Sequence, residues 1–515
     1  MNGAESLVTT LVDSGVDVCF ANPGTSEMHF LAALENPRMR SVLCLYEGVC
    51  TGAADGYFRM ADKPASTLLH LGPGLANGLS NLHNAKRARS AIVNVVGEHA
   101  LSHLKYDAPL KSDLDGIART QSDWLRRTDT AKSLATDAAL CAAQAKLRPG
   151  RIATLVLPGD TSWGEADGPA PPAPIPYAPG APDPLLVDHI AKILTSGEET
   201  LIVFGDHAMR GRCLELAGKI KAKTGVRLAT QFFSSRIERG AGRVPLERIP
   251  YAVPQALAFL KGFKHIITVQ TGEPIAFFAY PNTPSLLKSP DATVHPFIEL
   301  DHDPVAGLEM LVDALGAGHE TAVLQPRDEK PAPEGKLDPV SIAQALAFAL
   351  PENAILVDES LTTGRESLGL TAGARPHDVI QNMGGSIGYG TPVATGAALA
   401  CPDRRVFCMV GDGSAMYSIQ SLWTQAREGL NVTTIIFANH SYQILKTEFA
   451  NMGFGPPGPQ ALSMIDIGNP RIDWVAMGTS MGVPSERVTD AGALTQALIN
   501  SAREPGPRLI EVLLA

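Results

Sequence analysis

No CxxC pair occurs among the seven cysteines of this 515-residue chain, and their number is odd. Cys19, Cys44, Cys50, Cys141, Cys213, Cys401 and Cys408 therefore read as buried, reduced thiols, not as a disulfide frame or a zinc site. No apolar run approaches the ~20 residues that a helix needs to cross a bilayer, which argues against a membrane partner. A basic excess is also missing. With a net charge of -10, nothing supplies the field that neutralises a phosphate backbone, so nucleic acid is not expected as a partner. An anionic cofactor held through a metal stays open. The opening stretch, MNGAESLVTTLVDSGVDVCF, carries acids and no basic segment ahead of an apolar run. It is expected to belong to a cytoplasmic fold and not to be a secretion signal.

What the chain does have is ample core material: 45% hydrophobic and 19% charged residues. At ~150 residues per domain its length suggests about three domains. Two proline-broken stretches supply the cuts. Residues 165–184 hold too many prolines for a helix or an inner strand and read as an extended crossover, and residues 324–339 are similar but charged. The expected domains are residues 1–165, 185–323 and 340–515. Within each, short β-branched runs alternate with helical patterns: SVLCLYE, ASTLLHL, AIVNVVG and IATLVLP, then TLIVFG and HIITVQTG, then AILVDES, RVFCMVGDG, VTTIIFAN and PRLIEVLL. Continuous apolar strands separated by helices predict an α/β protein of parallel sheets flanked by helices. In such sheets ligands sit at the carboxyl ends of the strands.

Two of those ends carry polar groups that strands rarely tolerate. RVFCMVGDG reads as a strand ending in a turn, SIQSLWTQAREG as an amphipathic helix, and NVTTIIFAN as the next strand. A right-handed crossover makes the two strands parallel. If they are neighbours, Asp412 and Asn439 emerge side by side at one edge. A carboxylate and an amide oxygen are hard ligands suited to Mg²⁺ or Ca²⁺. Gly411 and Gly413 allow close backbone approach, and the amides from Ser414 onward can receive phosphate oxygens. An Asp-Gly turn and an Asn at a strand end are each common. The 27-residue step between them, with a strand–helix–strand pattern inside, is what points to a metal-bridged diphosphate site.

GDG, a step of this length and then Asn resembles the motif of thiamine-diphosphate enzymes. GDGSAMYSIQSLWTQA is similar to the acetolactate synthase, benzoylformate decarboxylase and pyruvate oxidase group, and the resemblance spans essentially the whole chain. It implies pyrimidine-binding, central and diphosphate-binding domains in that order. It also implies thiamine diphosphate and Mg²⁺ as cofactors, with Asp412, Asn439 and the backbone carbonyl of Ser441 as metal ligands. The first asparagine of the family's usual pair is Ala438 here. Gly411, Gly413, Ser414, Tyr442 and Thr362 fall where the family meets the cofactor. IVFGDHAMRGRC carries no G-x-G-x-x-G, so FAD is not expected.

The resemblance extends to the other half of such a site. Glu47, in LYEGVCTGAADGYFR, ends an apolar run and opens a helix of small residues, where a carboxylate is costly unless used. In the family this glutamate contacts the aminopyrimidine ring and promotes loss of the thiazolium C2 proton. NMGGSIGYGTPVATGAALA places the apolar wedge that bends the cofactor at Ile387, and an accepting carbonyl at Gly385. Without the family, Ile387 reads as a core aliphatic. CFANPGTSEMHF puts Thr25, Ser26 and Glu27 on the substrate side, and His70 precedes the GPG loop where benzoylformate decarboxylase has an active-site histidine. The second histidine of that enzyme is missing, and the comparable stretch shows Phe277, Phe278 and Ala279. Arg236 and Arg239, in FFSSRIERGAG, could be anion contacts but read first as surface charges.

The implied activity is decarboxylation of a 2-oxo acid, followed by addition to a second carbonyl or by release of an aldehyde. Acetolactate synthase-like carboligation is the expectation. Simple decarboxylation and a non-catalytic, cofactor-binding paralogue are the alternatives. The expected partners are a small 2-oxo acid, a carbonyl acceptor and further copies of the chain, as a homodimer or homotetramer with sites between subunits.

Overall fold

A computed structural model describes residues 1–514. Three sheets follow one another along the chain. The first has six strands, all parallel, in the order Arg40–Leu43, Val18–Ala21, Ala65–Leu69, Ile92–Glu98, Ile152–Pro158, Trp124–Arg127. The second has five: Glu247–Arg248, Arg227–Thr230, Thr200–Phe204, His265–Val269 and Thr293–Ile298. The third runs Ser485–Val488, Arg508–Leu513, Val432–Ala438, Val406–Gly411, Ala354–Glu359, His377–Gln381 and, antiparallel at its edge, Ile237–Arg239. That last strand comes from the middle of the chain, so the parallel pattern expected for the third sheet has one exception. It also makes Arg239 part of a sheet and not a surface charge.

About half of the strands were expected from their β-branched runs, and the inner ones are buried on both faces, as in Val432–Ala438. The 165–183 stretch has almost no regular structure, and Asp183 caps the next helix, Pro184–Leu194. No helix is long and apolar enough to cross a membrane, among the described residues.

Two features lock the N-terminal and C-terminal sheets together. Helix Glu47–Ala61 crosses helix Gly390–Ala400 so closely that a Cβ on Gly56 would lie 2.1 Å from the Val393 carbonyl oxygen. A Cβ on Gly396 would lie 1.8 Å from that of Ala53. Only glycine permits that approach, and Val49, Ala53, Val393 and Ala397 share one core across it. The second feature is Arg59. Its guanidinium donates to both oxygens of Asp55, at 2.8 and 2.7 Å, and to the carbonyls of Gln381 (2.7 Å) and Ser235 (3.3 Å). One buried cation thus ties together all three parts of the chain. Its neighbour Arg236, also expected at the surface, is half-buried, with Nε 2.8 Å from Asp378 Oδ1 and Nη1 donating to the Arg59 carbonyl.

Candidate active site

Strand Val406–Gly411 pairs in parallel with Val432–Ala438, with Gly411 opposite Phe437. Asp412 and Asn439 therefore leave the sheet at the same carboxyl edge, and both line one open, shallow cleft. Ser360, Thr362, Gly411, Gly413, Ser414, Ser441 and Tyr442 line it too. Of the residues assigned to the diphosphate and metal side from sequence, all meet here. The helix expected over SIQSLWTQAREG is present as the shorter Ser421–Arg427, and a separate helical turn, Asp412–Ala415, begins directly at the strand end.

Asp412 is 2% exposed. Its Oδ1 accepts from the Gly413 amide at 2.8 Å and its Oδ2 from the His440 amide at 2.6 Å. Burial pushes its carboxyl above the ordinary range, against the pull of these amides. No Lys or Arg nitrogen lies within 4.0 Å of it among the described residues. Asn439 Oδ1 accepts only the Ser441 amide, at 3.0 Å. Ser441 Oγ and His440 Nε2 are buried without a partner. A buried carboxylate lacking a cation, next to amide and hydroxyl oxygens, is a donor set that fits a hard divalent ion. Gly411 opens onto free space, where an added Cβ would meet only Ser414 Oγ, at 4.0 Å. That leaves room for a phosphate group beside the backbone.

Glu47 opens helix Glu47–Ala61, as expected, and is 6% exposed. Asn77 donates to its Oε2 at 3.0 Å. Glu47 is not among the residues lining the Asp412 cleft of its own chain.

The loop carrying Gly385 and Ile387 is held from both sides. Asn84 donates to the Ser386 carbonyl at 2.8 Å, His83 to that of Gly384 at 3.0 Å, and Asn81 to that of Gly388 at 3.2 Å. From the other side buried Glu359 accepts from the amides of Gly388 (2.8 Å), Tyr389 (3.2 Å) and Gly390 (2.7 Å). Ile387 itself is half-exposed, so it is not the core aliphatic that its type suggests. The sequence reading missed Glu359, Asn81, His83 and Asn84. Glu359 carries the same signal as Asp412, an acid closing an apolar strand. The asparagines carry only their spacing of three on helix Leu71–Arg87.

Thr25, Ser26 and Glu27 form one short helical turn. Glu27 Oε2 lies 2.8 Å from His70 Nδ1 and accepts from the Gly24 amide, while Oε1 is buried without a partner. Thus His70 is joined to Glu27, not to Thr25 or Ser26. Burial holds the Glu27 carboxyl above its ordinary range, with His70 pulling the other way. An acid raised in the folded state binds its proton more tightly there than unfolded. Its contribution to stability is therefore full in acid and lost as pH rises through the folded value. Glu27→Gln removes that loss. Its melting temperature relative to the parent should rise as pH is raised above the ordinary glutamate range. A difference that stays constant with pH would contradict this.

In the middle of the chain, Phe277 packs its ring onto Gly385: a Cβ there would lie 2.8 Å from the ring. Phe233, Phe278 and Tyr251 surround it at centroid distances of 5.6, 4.8 and 6.1 Å.

Family comparison matches residues 1–119 to the thiamine pyrophosphate enzyme N-terminal TPP binding domain, and residues 368–512 to its C-terminal TPP binding domain. The chain is 49% identical to "Putative acetolactate synthase large subunit IlvX" of Mycobacterium tuberculosis, over 100% of this chain and 99% of that one. It is 27% identical to a benzoylformate decarboxylase of Pseudomonas aeruginosa, covering 97% and 96%. Among solved structures, a thiamine diphosphate-dependent 4-hydroxybenzoylformate decarboxylase of Rhodococcus jostii RHA1 superposes with a TM-score of 0.86 at 24% identity. That likeness covers 100% of this chain and 99% of the other, and supports the three-sheet fold.

Proposed function

Because the chain belongs to the thiamine pyrophosphate enzyme family, we propose that it is a carboligase, releasing CO₂ from a 2-oxo acid and joining the remainder to a second carbonyl compound. Dependence on thiamine diphosphate follows from the family; Mg²⁺ is the ion that the donor set at Asp412 suits. When bound, the thiazolium supplies the carbon that adds to the substrate carbonyl and takes up the electrons left by CO₂. Asp412, Asn439 and the Ser441 carbonyl would hold the ion. The amides from Gly411 to Ser414, with Thr362 and Tyr442, would meet the diphosphate. Glu47 would hold a proton at the pyrimidine ring, and Gly385 and Ile387 would orient that ring against the thiazolium. Residues 1–165, 185–323 and 340–515 are proposed as the domains.

Glu47 does not line the Asp412 cleft of its own chain. The reading therefore requires a homodimer or homotetramer, in which Glu47 of one protomer completes the cleft of its partner.

The observation that carries ligation over plain decarboxylation is the Phe277 ring on Gly385. Release of an aldehyde needs a proton delivered to the substrate carbon. The rings of Phe277, Phe233 and Phe278 carry no donor of their own, which favours leaving the carbon for a second carbonyl. Plain decarboxylation is the second reading, favoured by His70, whose Nδ1 is held by Glu27 and whose other nitrogen is left for substrate. Incubation with a panel of 2-oxo acids and aldehydes, with products identified by mass, separates the two. Ligated products are expected. Phe277→His should shift the product ratio toward free aldehyde by about tenfold or more. Aldehyde as the sole product of the parent protein would overturn ligation, and silence across the panel would overturn catalysis.

A further inference from the structure

A second cavity, of ≈ 360 Å³, lies between the middle and C-terminal sheets and apart from the Asp412 cleft. Thr230 and Ser234 line it beyond the end of strand Arg227–Thr230, and Leu368 and Ala372 line it from the C-terminal side. Three arginines share it: Arg239, Arg243 and Arg248.

Two of them lack a counter-ion. Arg239 donates from Nη2 to the Leu368 carbonyl at 2.5 Å, and Arg248 from Nε to the Phe232 carbonyl at 2.7 Å. Neither has a carboxylate within 4.0 Å among the described residues. The acid on the cavity wall, Glu238, already sits between Arg236 and Arg243, at 3.9 and 3.8 Å. Burial pushes Arg239 down to about 10, with Arg248 adding repulsion; burial does the same to Arg248, against the opposing pull of Asp358. Both remain charged at neutral pH. Unpaired, half-buried charges are costly to keep; carbonyl acceptors, and for Arg248 the Phe232 ring whose centroid lies 3.6 Å from the guanidinium carbon, supply no counter-charge.

We propose that this cavity is an anion site that takes a small phosphate-bearing metabolite. Two guanidinium forks with free N–H groups match the oxygens of a phosphate, and they do so better than lysines would. Thr230 and Ser234 add hydroxyls, and Ile237, Val244 and Leu246 give an apolar wall for a short body. No aromatic ring lines the cavity among the described residues, so nothing there stacks a base. An aliphatic or sugar phosphate fits better than a nucleotide.

Calorimetric titration of the protein saturated with thiamine diphosphate and Mg²⁺, using inorganic phosphate at constant ionic strength, tests this. Saturation of the cofactor site removes it as a competitor. The expected result is saturable binding that weakens by about tenfold or more in Arg239→Gln and in Arg248→Gln. Should those variants fail to fold, Ala372→Asp decides, because it sets a carboxylate into the cavity. It should abolish phosphate binding and raise the melting temperature in phosphate-free buffer. No saturable heat with the parent protein, or equal affinity in parent and variants, would overturn the site and leave the arginines as carbonyl caps only.

Discussion

Glutamine in place of Glu47 is expected to slow turnover by about 10²–10⁴-fold while thiamine diphosphate still binds. The side chain sits at the start of a helix of small residues, 6% exposed, with Oε2 held by Asn77 at 3.0 Å. Gly74 faces its other oxygen: a Cβ there would lie 2.9 Å from Oε1. Glutamine fits that space, so packing and fold survive. What disappears is the ability to share a proton with a ring nitrogen. The direct readout is exchange of the thiazolium C2 proton of the bound cofactor, followed by NMR. Unchanged exchange would remove Glu47 from the chemistry.

The second large effect is expected from Asp412→Asn, which should weaken Mg²⁺-dependent cofactor uptake by about 100-fold or more. Two losses act together. The ion loses its carboxylate, and the new amide nitrogen must face one of two N–H donors, from Gly413 at 2.8 Å or His440 at 2.6 Å. The second loss alone is worth ~1–3 kcal/mol of stability. Equal affinity by calorimetry would contradict the metal assignment.

How much of this was legible beforehand follows from the physics of each element. Asp412 and Asn439 announced themselves because a buried strand that ends in a charge is rare, and a crossover of that length fixes both ends to one edge. The register of Val406–Gly411 against Val432–Ala438 agrees with that inference. The strand Ile237–Arg239 was not legible. Three residues give no periodicity, and their partner lies 140 positions away, at His377–Gln381. The burial of Arg236 and Arg239 went unseen with it, since an arginine in a loop-like stretch looks solvated until its sheet is known. The clamp on the Gly385–Ile387 loop was hidden for a related reason. Asn81, His83 and Asn84 act through backbone carbonyls, which leave no complementary residue in the sequence to pair with. The family resemblance supplied Glu47 and His70 by position, but not the contacts that hold them.

Co-expression of the Glu47→Gln and Asp412→Asn chains tests the account most directly. If each site draws its acid from one protomer and its cleft from another, a mixed dimer carries one site with both groups intact. Random pairing then restores about a quarter of parental activity from two inactive chains. Activity no higher than that of either variant alone, in mixed dimers shown to have formed, would contradict the shared site.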